Sequence, residues 1–184
     1  MKIALLGATG QTGQYLVKQA LEQGHTVTAV VRNPAKLVVH HDNLKVIKTK
    51  PYCRTQKSPD FTEEKTYRKG EACVSRTNTR ANSGTQSPFL IRFLLLPMIR
   101  SVLSNMYEME RFLQKSEDIN WTVVRPPGLK NLAASAQEFL THEGYFVPDS
   151  GGQTAVGRGD VARFMLSLLN SNAWVKKGVA ITTK

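Results

Sequence analysis

At 184 residues the chain is long enough for one α/β domain with a sizeable core and short for two. Hydrophobic residues make up 41% of it, yet the most apolar stretch, residues 88–103, is broken by Arg92, Pro97 and Arg100, which excludes a membrane span of ~20 apolar residues. The formal charge of +11 is dispersed: residues 49–88 hold eight Lys or Arg against four Asp or Glu, without the interleaved aromatics of a nucleic-acid stacking surface, so no such partner is expected.

In chain order, residues 2–7 form a short apolar run ending in glycine, the pattern of a buried parallel strand. That run passes at once into a glycine turn, so it is not a signal peptide. Leu16, Val17, Ala20 and Leu21 recur with helical spacing, and Gly24 supplies a helix stop. Residues 25–32 (HTVTAVVR) are rich in β-branched side chains and predict a second strand. Asn33-Pro34 breaks it and opens a short helical turn over residues 35–39. Residues 44–48 (LKVIK) predict a third strand. Strand, helix, strand with short loops implies a right-handed crossover in a parallel sheet.

The character then changes. Val74 is the only Val, Leu or Ile in residues 49–87, where Ser, Thr, Asn, Lys, Arg and Gly dominate. Such a segment buries too little apolar surface to offset its ordering entropy, and it is expected to be a polar, mobile insertion. Residues 71–75 (EACVS) are its one strand-like fragment. Cys53 and Cys73 lie here without CxxC spacing or companion histidines, as free thiols of a reducing compartment would. No metal site is expected, and His40-His41 has no third ligand nearby.

Periodicity returns after Pro88. Val102, Met106, Met109 and Leu113 form one stripe of an amphipathic helix, and Phe89, Phe93 and Leu94 to Leu96 pack a core or line a flat apolar pocket. Residues 120–125 (NWTVVR) predict a strand stopped by Pro126-Pro127. His142-Glu143 is expected in a loop. Asp160 is placed to N-cap a helix whose inward face is Val161, Phe164, Leu168 and Leu169. Residues 178–182 predict a final strand.

The turn Gly7-Ala8-Thr9-Gly10-Gln11-Thr12-Gly13 carries the chemistry. The first amides of a helix lack internal partners and sit at the positive end of its dipole, while glycines let the backbone approach a pyrophosphate closely. The spacing Gly7-x-x-Gly10-x-x-Gly13 between a strand and a helix therefore predicts dinucleotide binding. At the end of the second strand, an acid would bond an adenosine ribose, whereas arginine accommodates a 2′-phosphate. Arg32 stands there, with Lys36 one helical turn on and no acid between Val27 and His41, which favours NADPH over NADH.

The stretch KIALLGATGQTGQYLVKQALEQGHTVTAVVRNPAKL, with NWTVVRPPGL and GRGDVARFMLSLL, resembles the atypical short-chain dehydrogenase/reductase group of NAD(P)H-binding proteins. Within it the chain is most similar to flavin reductases of the biliverdin-IXβ reductase type. The resemblance covers residues 1–48 and about 88–182. It implies pyrophosphate contacts from Gly7, Thr9, Gly10, Gln11, Thr12 and Gly13, and 2′-phosphate contacts from Arg32 and Lys36. Pro126 and Pro127 would line the nicotinamide. The fold it implies is a single α/β domain, a Rossmann-like doubly wound parallel sheet, here with fewer strands than usual.

The chain departs from that pattern after its third strand, where a Gly-Asp pair and a fifth strand are missing. Either the first strand pairs directly with NWTVVR, or the domain is marginal, or the polar segment arises from altered splicing. Gly128 replaces the histidine that follows Pro-Pro in the biliverdin-type proteins. Tyr107-x-x-x-Arg111 has the spacing of the Tyr-x-x-x-Lys pair of short-chain reductases, making Tyr107 a candidate proton donor. Three functions follow. The first is a cytoplasmic, monomeric NADPH-dependent reductase passing hydride to a flat small-molecule acceptor such as a flavin, tetrapyrrole or quinone. The second is a weak or inactive NADPH-binding sensor, and the third a nucleic-acid binder using the basic middle segment.

Overall fold

The computed structural model describes residues 1–49, 71–75, 108–148 and 155–184. Its contacts divide into two compact units. One contains Met1–Arg68, Asn131–Ser135 and Gly157–Ser167; the other contains Lys69–Lys130, Ala136–Val156 and Leu168–Lys184.

The first unit is built on strand β1 (Lys2–Leu6), helix α1 (Gln11–Glu22), β2 (Thr26–Val31) and β3 (Leu44–Lys48). The strands pair in the order β1-β2-β3, all parallel, with Lys2 opposite Thr26 and Val27 opposite Leu44. This is the βαβ crossover that the alternating apolar runs predict. Helix α1 ends where Gly24 adopts φ +75°, a conformation that costs glycine little. It buries Leu16, Val17, Ala20 and Leu21 and packs against helix α3 (Arg158–Ser167), which buries Val161, Phe164 and Met165. Fully burying such side chains contributes ~1.5–3 kcal/mol each.

Three local expectations need correction here. Strand β1 is not buried on both faces: Lys2, Ala4 and Leu6 are exposed, Leu6 at 78%, while Ile3 and Leu5 are half-buried. The helical turn after β2 is a single 3₁₀ turn at Pro34–Lys36, because Asn33 Oδ1 accepts from the Ala35 amide and Leu37 is already extended. Asp160 is not an N-cap. It lies inside the first turn of α3, buried, with its carboxylate turned onto Ser135.

The second unit contains β4 (Glu71–Ser75), helix α2 (residues 108–115), β5 (Asn120–Arg125), β7 (Phe139–Glu143) and β9 (Lys177–Thr183). Its sheet runs β4-β5-β9-β7, with β5 parallel to both neighbours and β7 antiparallel to β9. Strand β6 (Gly128–Lys130) pairs separately with β8 (Ala155–Gly157). The core here is Leu113, Trp121, Val123 and Val124 with Val179, Ala180 and Ile181 of β9. Thr122 Oγ1 donates to the Trp174 carbonyl at 2.8 Å, and the Lys176 amide donates to the Trp121 carbonyl at 2.7 Å, fixing the approach to β9.

The fragment EACVS is therefore a full strand in register with β5, Cys73 opposite Thr122. Since β5 has β4 on one side and β9 on the other, pairing of β1 directly with NWTVVR is ruled out. His142 and Glu143 belong to β7 rather than to a loop. The stripe expected on α2 is also shifted. Met109 is 38% exposed, and the buried positions are Glu110 and Leu113. Val102, Met106, Phe89, Phe93 and Leu94 to Leu96 lie outside the described residues, as does nearly all of the expected insertion at 49–87.

Candidate functional site

Strand β1 ends in a turn built almost wholly from backbone. Gly7 has φ +78°, a left-handed conformation that suits glycine, and its carbonyl accepts from the Gly10 amide at 2.9 Å. The Gln14 side-chain amide donates to the Thr9 carbonyl at 3.3 Å and closes the turn from inside. Gly13 is where α1 crosses β1. A Cβ there would stand 2.1 Å from the Gly7 oxygen and 2.9 Å from Ala8 Cα, both backbone atoms that cannot move aside.

Helix α1 starts without a side-chain cap. Gly10 occupies the N-cap in an extended conformation, and no acid lies in the first turn. The Gln14 amide donates to the Gly10 carbonyl at 2.9 Å, but the amides of Gln11, Thr12 and Gly13 have no acceptor among the described residues. Gly10 and Gln11 are exposed. The result is three unpartnered N–H groups at the positive end of a helix, with Gly10 and Gln11 open to solvent and no acid in the first turn. An oxyanion of a phosphate is the ligand this geometry fits. A bulkier residue at Gly13 would push the helix off the strand and scatter those donors.

The other cationic group comes from the carboxyl end of β2. Arg32 follows Val31 directly, and Lys36 ends the 3₁₀ turn that Asn33 caps. Both are exposed, and neither has a hydrogen bond or ion pair with the described residues. A free guanidinium and a free ammonium at this strand end suit a further phosphate.

Pro126 and Pro127 lie in the other unit, directly after β5. Pro126 is fully buried, Pro127 half-buried, and Gly128 opens β6. They stop the strand as the missing ladder donors require. Tyr107 lies outside the described residues.

Sequence reasoning missed two side-chain centres. In the second unit, Arg125 is 6% exposed and its Nη2 pairs with Glu110 of α2, itself 2% exposed. Arg125 Nη1 donates to the Gly144 carbonyl at 2.6 Å, and the guanidinium lies 4.1 Å from the Tyr145 ring centroid. Gly178 leaves the space it fills, because a Cβ there would meet Nη1 at 2.2 Å. The signal was present in the sequence as an acid three residues before Leu113, on the face that turns inward.

In the first unit, Asp160 Oδ1 accepts from the Ser135 amide at 2.8 Å, from Ser135 Oγ at 3.0 Å and from Arg163 Nη2 at 3.2 Å.

Comparison with known proteins agrees with this geometry. The stretch matching the uncharacterized protein YwnB of Bacillus subtilis (strain 168) is 49% identical over 37 residues; it spans 20% of this chain and only 17% of YwnB. Among solved structures, an NADH-flavin reductase candidate from Streptococcus pneumoniae TIGR4 superposes with TM-score 0.70 at 17% identity, covering 100% of both chains. The oxidoreductase ylbE of Lactococcus lactis gives TM-score 0.69 at 14% identity, covering 100% of this chain and 91% of its own. At such identities the likeness establishes the fold, a mixed α/β arrangement of the Rossmann type. The model of a family described as NAD(P)H-binding matches residues 7–53 and 73–172, most of the chain. That family supports a nicotinamide cofactor, and the chain belongs to the NAD(P)H-binding family.

Proposed function

We propose that the protein is an NADPH-dependent reductase that passes hydride to a flat, conjugated small-molecule acceptor such as a flavin, a tetrapyrrole or a quinone, in the manner of flavin reductases of the short-chain dehydrogenase/reductase group. The observation that carries this is the pairing of unpartnered amides at Gln11, Thr12 and Gly13 with free cations at Arg32 and Lys36. The amides hold the pyrophosphate, and Thr9 and Gly10 shape its approach. Arg32 holds a 2′-phosphate through charge-assisted hydrogen bonds, with Lys36 adding a second positive charge. When bound, the nicotinamide supplies the hydride. Pro126 and Pro127 close the carboxyl end of β5, the end of a parallel sheet at which ligands bind.

Hydride transfer to a flavin or quinone needs little specialised acid, since the cofactor carries the hard chemistry. That suits the sequence Pro126-Pro127-Gly128-Leu129, which offers no titratable side chain. The same observation favours a second reading, a sensor that holds NADPH and turns little over. Titration with NADPH and NADH, followed by turnover assays with FMN and dichlorophenolindophenol, separates the two. The reductase reading expects tighter binding of NADPH and steady reduction of at least one acceptor. Tight NADPH binding with no acceptor reduced would overturn it in favour of the sensor.

A further inference from the structure

We infer that Gln14 is the positioning residue of the phosphate turn, and that its side chain governs nucleotide affinity without governing the choice between NADPH and NADH. The inference rests on the proposed function above, in which the amides of Gln11, Thr12 and Gly13 hold the pyrophosphate.

Gln14 follows Gly13 in α1 and holds two consecutive carbonyls of the turn. Its main-chain amide donates to the Gly10 carbonyl at 2.9 Å, and its side-chain amide donates to the Thr9 carbonyl at 3.3 Å. The first bond is open to every residue except proline. The second needs a side chain with a donor and this reach.

Across a trans peptide the C=O and N–H point in opposite directions. Holding the Gly10 carbonyl towards the helix therefore turns the Gln11 amide outwards, on the exposed side of the turn. The peptide before it, Thr9–Gly10, is clamped at both ends. Its N–H goes to the Gly7 carbonyl at 2.9 Å, and its C=O takes the Gln14 side chain. The clamp matters because Gly10 has no Cβ to restrict it, yet its extended conformation (φ −74°, ψ 162°) fixes the angle at which the chain enters α1. Without the Gln14 donor, the Thr9 carbonyl is free to turn its negative end towards the amides, where it opposes a phosphate.

Gln19 supplies a matched control within the same unit. It lies on the same helix, is half-buried like Gln14, and its side-chain amide also donates to a main-chain carbonyl, that of Gly159 at 2.9 Å. The bond is of the same kind, but its acceptor lies in the first turn of α3, so it braces packing and leaves the turn alone.

Fluorescence titration, amide hydrogen exchange and urea unfolding of the full chain make the test. Gln14→Met keeps the length and helix propensity of the side chain and removes the donor. It should weaken NADPH and NADH alike by about fivefold, the worth of one neutral hydrogen bond, with their ratio within about twofold of wild type. Exchange at the Gly10 amide should accelerate by about the same factor in the absence of nucleotide. Gln19→Met should lower the urea midpoint at least as much, with nucleotide affinity and Gly10 exchange at their wild-type values. Gln14→Glu covers the case in which the methionine variant does not fold, because an acid near the start of a helix stabilises it. Its stability should hold while nucleotide affinity falls further than in Gln14→Met, since the carboxylate competes with the pyrophosphate for the same amides. Wild-type affinity in the Gln14 variants, unchanged Gly10 exchange, or equal affinity losses from Gln14→Met and Gln19→Met would overturn the positioning role. The amide resonances of Gln11, Thr12 and Gly13 separate that failure from failure of the underlying reading. If NADPH binds the wild type without moving them, the turn is not the phosphate site and the inference falls with it; if they move, the role of Gln14 alone is decided by its variants.

Discussion

In the first unit, the positive potential of the phosphate turn comes from backbone: three unpartnered amides at the start of α1, shaped by Gly7, Gly10 and Gly13. In the second unit, the buried positive charge among the described residues is the guanidinium of Arg125, sealed under α2 with Glu110, the Gly144 carbonyl and the Tyr145 ring around it. The turn is left unsatisfied and reachable, so it is a place for a ligand. At the Arg125 centre both terminal guanidinium nitrogens are taken by internal partners and Nε alone of the three is left without one, so it is a place for structure. The distinction lies in satisfaction rather than in charge, and it implies opposite responses to substitution.

The largest effect is expected at the satisfied centre. Removing one partner of a buried ion pair leaves the other desolvated and alone, at about 3–5 kcal/mol. Against a typical domain stability of ~5–15 kcal/mol, Glu110→Ala should therefore bring urea-induced unfolding close to native conditions. Replacing both partners together, Glu110→Leu with Arg125→Met, should recover most of the loss, because a packed apolar pair carries no desolvation cost. If the single variant unfolds at the wild-type urea concentration, the centre is not the internal brace its geometry describes.

Next comes Gly13. Its missing Cβ is a packing requirement, and Ala there should cost about 1–3 kcal/mol in overpacking while displacing the amides that the ligand needs. NADPH affinity should fall more than stability does. Gly10→Ala is the milder control, since its Cβ would meet the Gly7 oxygen at 3.2 Å rather than 2.1 Å. Fluorescence titration of NADPH with both variants ranks them. Equal losses would mean that turn chemistry, not helix–strand approach, sets affinity.

These two sites also differ in how much of them could be read beforehand. The turn is local: strand, glycines, helix and Arg32 fall within consecutive residues, and their roles follow from propensity and spacing. The β1-α1-β2-β3 order and the β5 and β9 strands were legible for the same reason. The Arg125 centre joins residues 110, 125, 144, 145 and 178, which only the sheet order β4-β5-β9-β7 brings together. Asp160 looked like a helix cap because an acid before an apolar helical stripe usually is one; its real partner, Ser135, is 25 residues away. Strand β7 was missed because FLTHE lacks β-branched residues apart from Thr141 and earns its place by pairing with β9.

Arg32 should give a smaller, ligand-specific change. It is exposed, so on the proposed function its bond to a 2′-phosphate would compete with water, and Arg32→Ala should weaken NADPH binding by about tenfold, roughly 1.4 kcal/mol. NADH binding and stability should stay near wild type, since Arg32 has no internal partner among the described residues. Arg32→Glu should reverse the preference. An NADPH preference that survives the glutamate would move the 2′-phosphate site away from the end of β2.

The smallest effect sits on the surface of the second unit, where satisfaction is partial. Lys184 Nζ donates to Glu138 Oε2 at 3.0 Å, and the Lys184 amide donates to the Glu138 carbonyl at 3.1 Å, so the pair fastens the start of β7 beside the end of β9. The hydrogen bond from Lys184, and then its charge, hold the Glu138 carboxyl below its ordinary value of 4.5. A carboxyl whose folded-state value is depressed stabilises the fold above its unfolded value, and that contribution disappears as pH falls through the folded one. Lys184→Met should therefore lower stability slightly at neutral pH and not at all in strong acid, with the Glu138 carboxyl carbon titrating closer to 4.5 by NMR. Both groups are solvated, so salt should shrink the difference further. A pH-independent loss would mean that the backbone bond, not the ion pair, holds this edge.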